Sequence, residues 1–385
     1  MIDRFDKLRM LILNKTDKEN PYWFGGAEVR LHNLIKYWSR VFSQITIISS
    51  RFPYGRAVEI TDNIQIFRYG YPMYRNVFSP LFLDYAFLRH FLNKMKYDII
   101  YFASTPYPPL TVRVLPLFKK FYKRCGFNPR IVAHIDHLPV REAYSSYIHY
   151  ILAKIVDESL LANIEFDVIT TVSITSMRDI RRLFPDTKII VTGNGVDTNV
   201  FKPLRVPEKE GKIFSWGLMY HRKGFHLLMH AFRKVIKEYP IARLVLAGEG
   251  PEKTRLQKLS KDLGLSNKVI FLPKLSNDRL VYEINTSQIV VIPSLWEGFG
   301  LTVLEAMACK KPVIAFNIPA ISELITNGLN GLLAPRGDVD ALASLIVHLL
   351  NDKDLRKKIA GNAYLFARKF SWENIAEKEL MAMVS

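Results

Sequence analysis

Ile289-Val290-Val291-Ile292-Pro293-Ser294-Leu295-Trp296-Glu297-Gly298-Phe299-Gly300-Leu301-Thr302-Val303-Leu304-Glu305-Ala306-Met307-Ala308 is the stretch on which the fold turns. An apolar run, a glycine loop and a helical run follow one another, which reads as strand, loop, helix. A helix start carries unpaired N–H groups and partial positive charge, so it suits a phosphate. Gly298 and Gly300 have no Cβ and let backbone come close to a ligand. Glu297 precedes the loop and Glu305 lies a turn into the helix, so both carboxylates face one pocket. That arrangement suits a nucleotide-sugar, with its diphosphate on the helix end and its hydroxyls on the carboxylates. Thr302-x-x-Glu305 also fits a capping box, in which Glu305 only ties off the helix start. Both readings stand on this segment alone.

Outward from it, short apolar runs alternate with helical stretches throughout. The first half places strands at 9–14, 45–49, 64–68, 98–102, 130–135, 167–172 and 188–192. The second half places them at 212–216, 243–247, 268–272, 288–293, 312–316 and 331–334. Apolar strands separated by helices argue for parallel sheets covered on both faces, and two such series imply two doubly wound α/β domains. The polar stretch 203–211, with Pro203 and Pro207 and no periodicity, reads as the linker between them. The boundaries expected are therefore 1–203, 204–365 and a last helix over 366–385.

The 385 residues suffice for two domains of ordinary size. Cys125 and Cys309 cannot make a disulfide framework, which points to a reducing compartment. No apolar run reaches membrane-spanning length, and the first residues lack a signal-peptide core. The expected place is cytoplasmic, or peripheral on the inner face of a membrane. Net charge is +18; Lys and Arg outnumber Asp and Glu by 29 to 18 over residues 1–205 and by 25 to 18 beyond. Such an excess favours anionic partners. Nucleic acid is not expected, because zinc-finger spacing, aromatic RNA-binding signatures and a basic tail are all absent. Residues 71–125 are dense in aromatics, prolines and bases, and Leu110 to Arg124 reads as a basic helix with an apolar face. It suits either an anionic membrane surface or ordinary packing on a sheet.

Several further segments complete a pattern. They are Thr171-Val172-Ser173, Gly193-Asn194-Gly195-Val196-Asp197, Arg222-Lys223-Gly224, Leu246-Ala247-Gly248-Glu249-Gly250 and Lys311-Pro312-Val313-Ile314-Ala315. Taken in order with the 293–307 segment and Gly25-Gly26-Ala27-Glu28, they make the chain resemble the GT-B glycosyltransferases, most closely the large retaining group called family 4. The resemblance implies two Rossmann-like, doubly wound parallel-sheet domains facing a central cleft. It puts the nucleotide-sugar donor mainly on the C-terminal domain and the acceptor mainly on the N-terminal one, with the last helix crossing back to the first domain.

It also implies roles. Glu305 would hold the ribose hydroxyls and Glu297 would lie near the donor sugar, with sugar contacts from the N–H groups of Phe299, Gly300 and Leu301 beside Gly298. Lys223 would meet the diphosphate, where a fixed cation stabilises the charge that develops as the sugar–phosphate bond breaks. Gly26 would close over the diphosphate from the other domain. The family's histidine near the reacting sugar falls on His134 or His137, with His137 preferred because His134 lies within the strand. Three departures stand out. Leu218 occupies the place of a usual arginine, with Arg222 or His221 as substitutes; Lys310 replaces a usual glycine; and 317–323 replaces a glycine-rich loop. Asp338-Val339-Asp340 matches a metal-binding D-x-D triplet but opens a helical run, where Asp is an ordinary cap. No metal and no cofactor beyond the donor is expected.

These residues lead to the expectation of a retaining hexosyltransferase that moves mannose or glucose from a nucleotide diphosphate sugar to a lipid-linked or oligosaccharide acceptor. A binding subunit without turnover, motivated by Leu218, and a nucleotide-sugar hydrolase or epimerase on the same architecture are the alternatives.

Overall fold

The computed structural model describes residues 7–14, 26–51, 55–69, 96–103, 128–136 and 165–385, together with 119–120, 123–124, 126, 138, 148, 151 and 154. The chain divides into two compact units. One comprises Met1–Asn194 with Trp372–Ser385, the other Gly195–Ser371. Most of the basic, aromatic 71–125 region and His137 lie outside the described residues.

In the first unit the described elements are β1 (Arg9–Leu13), α1 (Gly26–Trp38), β2 (Gln44–Ser50), β3 (Val58–Thr61), β4 (Ile64–Tyr69), β5 (Ile99–Phe102), β6 (Arg130–His134), β7 (Val168–Thr171), α2 (Ile174–Leu183) and β8 (Ile189–Val191). Their sheet runs in the order β3-β4-β2-β1-β5-β6-β7-β8. Neighbours are parallel, in registers such as Leu11↔Thr46 and Ile12↔Tyr101, except that β3 runs antiparallel to β4. The central strands are buried along nearly their whole length, as in a sheet with both faces covered. Every strand expected from the sequence falls on an observed strand. The sequence reading missed β3, a short edge strand whose Val58 and Ile60 are exposed, so no buried run marks it. Its available signal was the two-residue Asp62-Asn63 turn, where Asp62 adopts a left-handed φ of 45°.

The helix Trp372–Val384 packs on α1 and β7 of this unit. Its Glu379 carboxylate is fully buried and lies 2.6 Å from Arg30 of α1. Tyr101 donates its hydroxyl to Glu379 at 2.9 Å, and the Thr170 hydroxyl donates to the same carboxylate. Arg30 also donates to the Thr192 hydroxyl at 3.0 Å, and the Trp38 indole N–H reaches the Ala376 carbonyl. Burial alone would raise the Glu379 pKa; Arg30 and the surrounding donors overturn that and hold it at about 2.

The second unit contains β9 (Lys212–Trp216), a 3₁₀ turn His221–Lys223, α3 (Phe225–Glu238), β10 (Arg243–Ala247), α4 (Lys253–Asp262), β11 (Val269–Leu272), α5 (Asn277–Asn285), β12 (Ile289–Ile292), α6 (Leu301–Ala308), β13 (Val313–Asn317), α7 (Pro319–Ser322), β14 (Leu332–Pro335), α8 (Val339–Asn351) and α9 (Lys353–Ala367). Its sheet is parallel throughout, in the order β11-β10-β9-β12-β13-β14. That is the strand order of a doubly wound dinucleotide-type fold, which places a ligand crevice at the carboxyl ends where the order reverses, between β9 and β12.

The buried Glu379–Arg30 pair yields a measurable expectation. Glu379→Ala leaves a buried guanidinium uncompensated and destabilises the first unit by about 3–5 kcal/mol, read in chemical denaturation. In the unaltered chain the folded-state pKa of Glu379 lies below its ordinary value of 4.5. The stability it contributes is therefore complete above about pH 4.5 and disappears as pH falls through about 2. An acid-unfolding curve that is the same for the Glu379→Gln variant would contradict this.

Candidate functional site

Two loops meet at the carboxyl ends of β9 and β12. After β9 the chain passes through Gly217 and Leu218 to the 3₁₀ turn and then Gly224, which is left-handed at φ 66°. A Cβ on Gly224 would sit 1.9 Å from the Pro293 carbonyl oxygen, so this contact is backbone against backbone and only glycine allows it. The Leu295 N–H donates to the Arg222 carbonyl at 2.8 Å and joins the loops a second time.

That contact sets Lys223 against Glu297. The Lys223 ammonium donates to Glu297 Oε1 at 2.5 Å, and the Ser294 hydroxyl donates to the same oxygen at 2.7 Å. Arg222 lies 3.5 Å from Glu297 Oε2, stacks over the Trp296 ring at 5.5 Å and donates to the Trp296 carbonyl. The Glu297 side chain is 9% exposed. Burial would raise its pKa, but Lys223 and Arg222 outweigh burial and lower it, so it stays ionised.

Gly300, at φ 105°, caps α6 and offers no side-chain acceptor. A Cβ there would meet Ile321 Cδ1 at 2.7 Å. Among the described residues no acceptor meets the backbone N–H groups of Phe299, Gly300, Leu301 and Thr302. The capping-box reading is corrected: Gly300 is the cap, Thr302 is already the second helical residue, and Glu305 does not fold back on the helix start. Glu305 instead accepts the Trp216 indole N–H at 3.2 Å, from the end of β9. Burial raises its pKa to about 7, moderated by the Trp216 hydrogen bond and the charge of Lys223.

The structure thus brings Arg222, Lys223, Glu297, Gly298, Phe299, Gly300, Leu301 and Glu305 to one end of one sheet. Leu218 is half exposed, and His221 stacks on His226 at a ring separation of 4.5 Å. Arg222, and not His221, is the second cation beside Glu297. Gly26 opens α1 in the other unit and is exposed. His134, in the same unit, ends β6 with no exposed surface; its Nδ1 lies 2.9 Å from the Thr170 hydroxyl and its Nε2 3.4 Å from Asp136. Asp338 accepts the Ala341 N–H at 2.9 Å as a helix cap, and Asp340 pairs with Lys234. The roles of Trp216 and Ser294 were missed in the sequence. Ser294 is legible in retrospect at three residues from Glu297, whereas Trp216 reads only as a strand residue until β9 and β12 are adjacent.

Two outcomes follow from this geometry. Gly224→Ala destabilises the second unit by about 1–3 kcal/mol, because the loops must separate; calorimetric melting measures it. Glu305 has a folded pKa of about 7 against an ordinary 4.5. The native state therefore binds the extra proton, and stability declines as pH rises from about 4.5 to about 7 and is flat above. The Glu305→Gln variant loses that decline, so the difference in melting temperature between the two proteins grows across this window.

Comparison with known proteins agrees with both sheets. A family model described as "Glycosyl transferases group 1" matches residues 196–366, and one described as "Glycosyltransferase Family 4" matches residues 24–200. An uncharacterized glycosyltransferase of Methanocaldococcus jannaschii is 30% identical over 234 residues, which cover 57% of this chain and 60% of that protein. The match thus spans less than two thirds of that relative. Among solved structures, sucrose-phosphate synthase from Thermosynechococcus elongatus aligns with a TM-score of 0.78 at 20% identity, covering 97% of this chain and 98% of its own. Anabaena HepE, in complex with UDP and glucose, aligns with a TM-score of 0.73 at 20% identity, covering 98% and 100%. With both halves matched by the family's two domains and both sheets built on its fold, the chain belongs to the GT-B glycosyltransferases of the family 4, group 1, type.

Proposed function

We propose that the protein is a retaining hexosyltransferase. It takes glucose or mannose from a nucleotide diphosphate sugar and passes it to a hydroxyl of a lipid-linked or oligosaccharide acceptor, without a divalent metal. The observation that carries the reading is the pairing of Lys223 with Glu297 directly beside four unpartnered amides at the start of α6.

The diphosphate accepts hydrogen bonds from those amides, where the helix dipole adds positive charge. Lys223, held by Glu297, supplies a fixed cation to the phosphate oxygen that gains charge as the C1–O bond to the sugar breaks. The acceptor oxygen bonds to C1 on the face the phosphate leaves, and its proton passes to the leaving phosphate oxygen. Glu297 is thereby freed to accept a sugar hydroxyl. Glu305, poised on Trp216, accepts the ribose hydroxyls, and nucleoside binding favours its ionised form. Arg222 takes the place of the arginine absent at Leu218, which favours turnover over a binding-only role.

A thermal-shift panel of UDP-, GDP- and ADP-sugars identifies the donor, because a ligand that binds only the native state raises the melting temperature. UDP-glucose heads that panel, since HepE was solved with it. Lys223→Ala lowers transfer by about 10²–10³-fold in an assay of nucleotide release with acceptor present. Glu305→Ala reduces transfer chiefly through weaker donor binding. Full activity in a folded Lys223→Ala protein would remove the diphosphate assignment.

A further inference from the structure

We propose that the second unit carries a separate anion site for a phosphate-bearing molecule, at the opposite end of its strands from Lys223 and Glu297. A cavity of about 520 Å³ opens there, at the amino ends of β12 and β13. Its size is that of a small-molecule site. The walls are the 203–208 segment, the turn after α6 and one face of α9.

The lining is strongly basic. Lys310, Lys311, Lys353, Arg356 and Lys357 all border the cavity, against a single carboxylate, Glu208. Lys353, Arg356 and Lys357 stand at i, i+3 and i+4, on one face of α9, where like charges repel. Two of the five cations are already satisfied. Lys311 pairs with Glu208 at 2.5 Å, and Arg356 turns inward to donate to the Leu349 and Leu350 carbonyls at 2.6 Å each. The carboxylate is thus used up. Lys310, Lys353 and Lys357 have no acidic partner among the described residues.

Backbone strain is an independent observation at the same place. Lys310 adopts φ 56°, and with Asp62 it is one of two described non-glycine residues in the left-handed region. It follows the end of α6, where the Lys311 N–H returns to the Ala306 carbonyl at 3.1 Å and the Lys310 N–H to the Met307 carbonyl at 2.9 Å. Glycine closes such a turn without strain. Lysine closes it with strain and adds an ammonium to the cavity wall. The neighbouring Cys309 is buried, and burial pushes its thiol up to about 12, so it brings no competing negative charge. Three ammonium groups bordering one cavity, with no acidic partner among the described residues, suit a multiply charged anion. The cavity exceeds the size of phosphate itself and leaves room for the group the phosphate is attached to.

The test is melting temperature against inorganic phosphate at constant ionic strength, in a Lys223→Ala background that weakens phosphate binding at the α6 start; any gain left there by the α6 amides is common to all variants. Phosphate is expected to raise the melting temperature of this background. Adding Lys310→Gly is expected to raise it without phosphate, by relief of the left-handed strain, and to diminish the phosphate-dependent gain. Adding Lys357→Ala diminishes the gain with no such rise. A gain that is undiminished in both double variants, or no gain at millimolar phosphate in the background, overturns the site. Flotation with phosphatidylcholine vesicles, with or without phosphatidic acid, identifies the source. Capture that depends on Lys310 and Lys357 assigns a lipid headgroup; no capture alongside a phosphate gain assigns a soluble phosphorylated molecule. Because every sample carries the same Lys223→Ala change and only Lys310 and Lys357 differ, the result is independent of the proposed transfer.

Discussion

The close approach of Gly224 to the Pro293 carbonyl is the constraint on which the site depends. It forces the loop after β9 against the loop after β12, and the Lys223–Glu297 pair exists only because those loops touch. An ammonium on a four-carbon stem is otherwise free to point into water. Here its direction is set by Glu297 and the touching loops, so the ammonium is already ordered.

Among the buried ion pairs of the described residues, two have opposite surroundings. The Glu379 carboxylate accepts from Arg30, Tyr101 and Thr170, and Arg30 also donates to Thr192, although its buried Nε has no partner among the described residues. Such a pair specifies how the Trp372–Val384 helix seats on its sheet. Lys223 and Glu297 lie instead beside amides that meet no acceptor among the described residues and a carboxyl, Glu305, whose pKa burial raises.

The departures from the family pattern become physical statements in the structure. Leu218 is a half-exposed apolar side chain, and Arg222 of the neighbouring turn, braced on Trp296, is the second cation beside Glu297. Lys310 substitutes a strained lysine for a glycine and turns a helix end into part of a basic wall.

The sequence alone determined the alternation of strands and helices, because continuous apolar runs of strand length can be buried only in covered parallel sheets. It also determined the glycine loop before α6 and the residues around it, since strand, glycines and helix are contiguous in the chain. It did not reveal β3, whose exposed side chains leave no pattern, and on Thr302 and Glu305 it could not choose between a cap and a ligand contact. That choice needed the position of Trp216, 89 residues away in the chain, whose indole takes the Glu305 carboxyl. Lys223 with Glu297, and Lys310 with the face of α9, likewise come together only through the order of the strands. Hydrophobic periodicity is a local property, whereas the pairing of charges is fixed by which strand ends become neighbours.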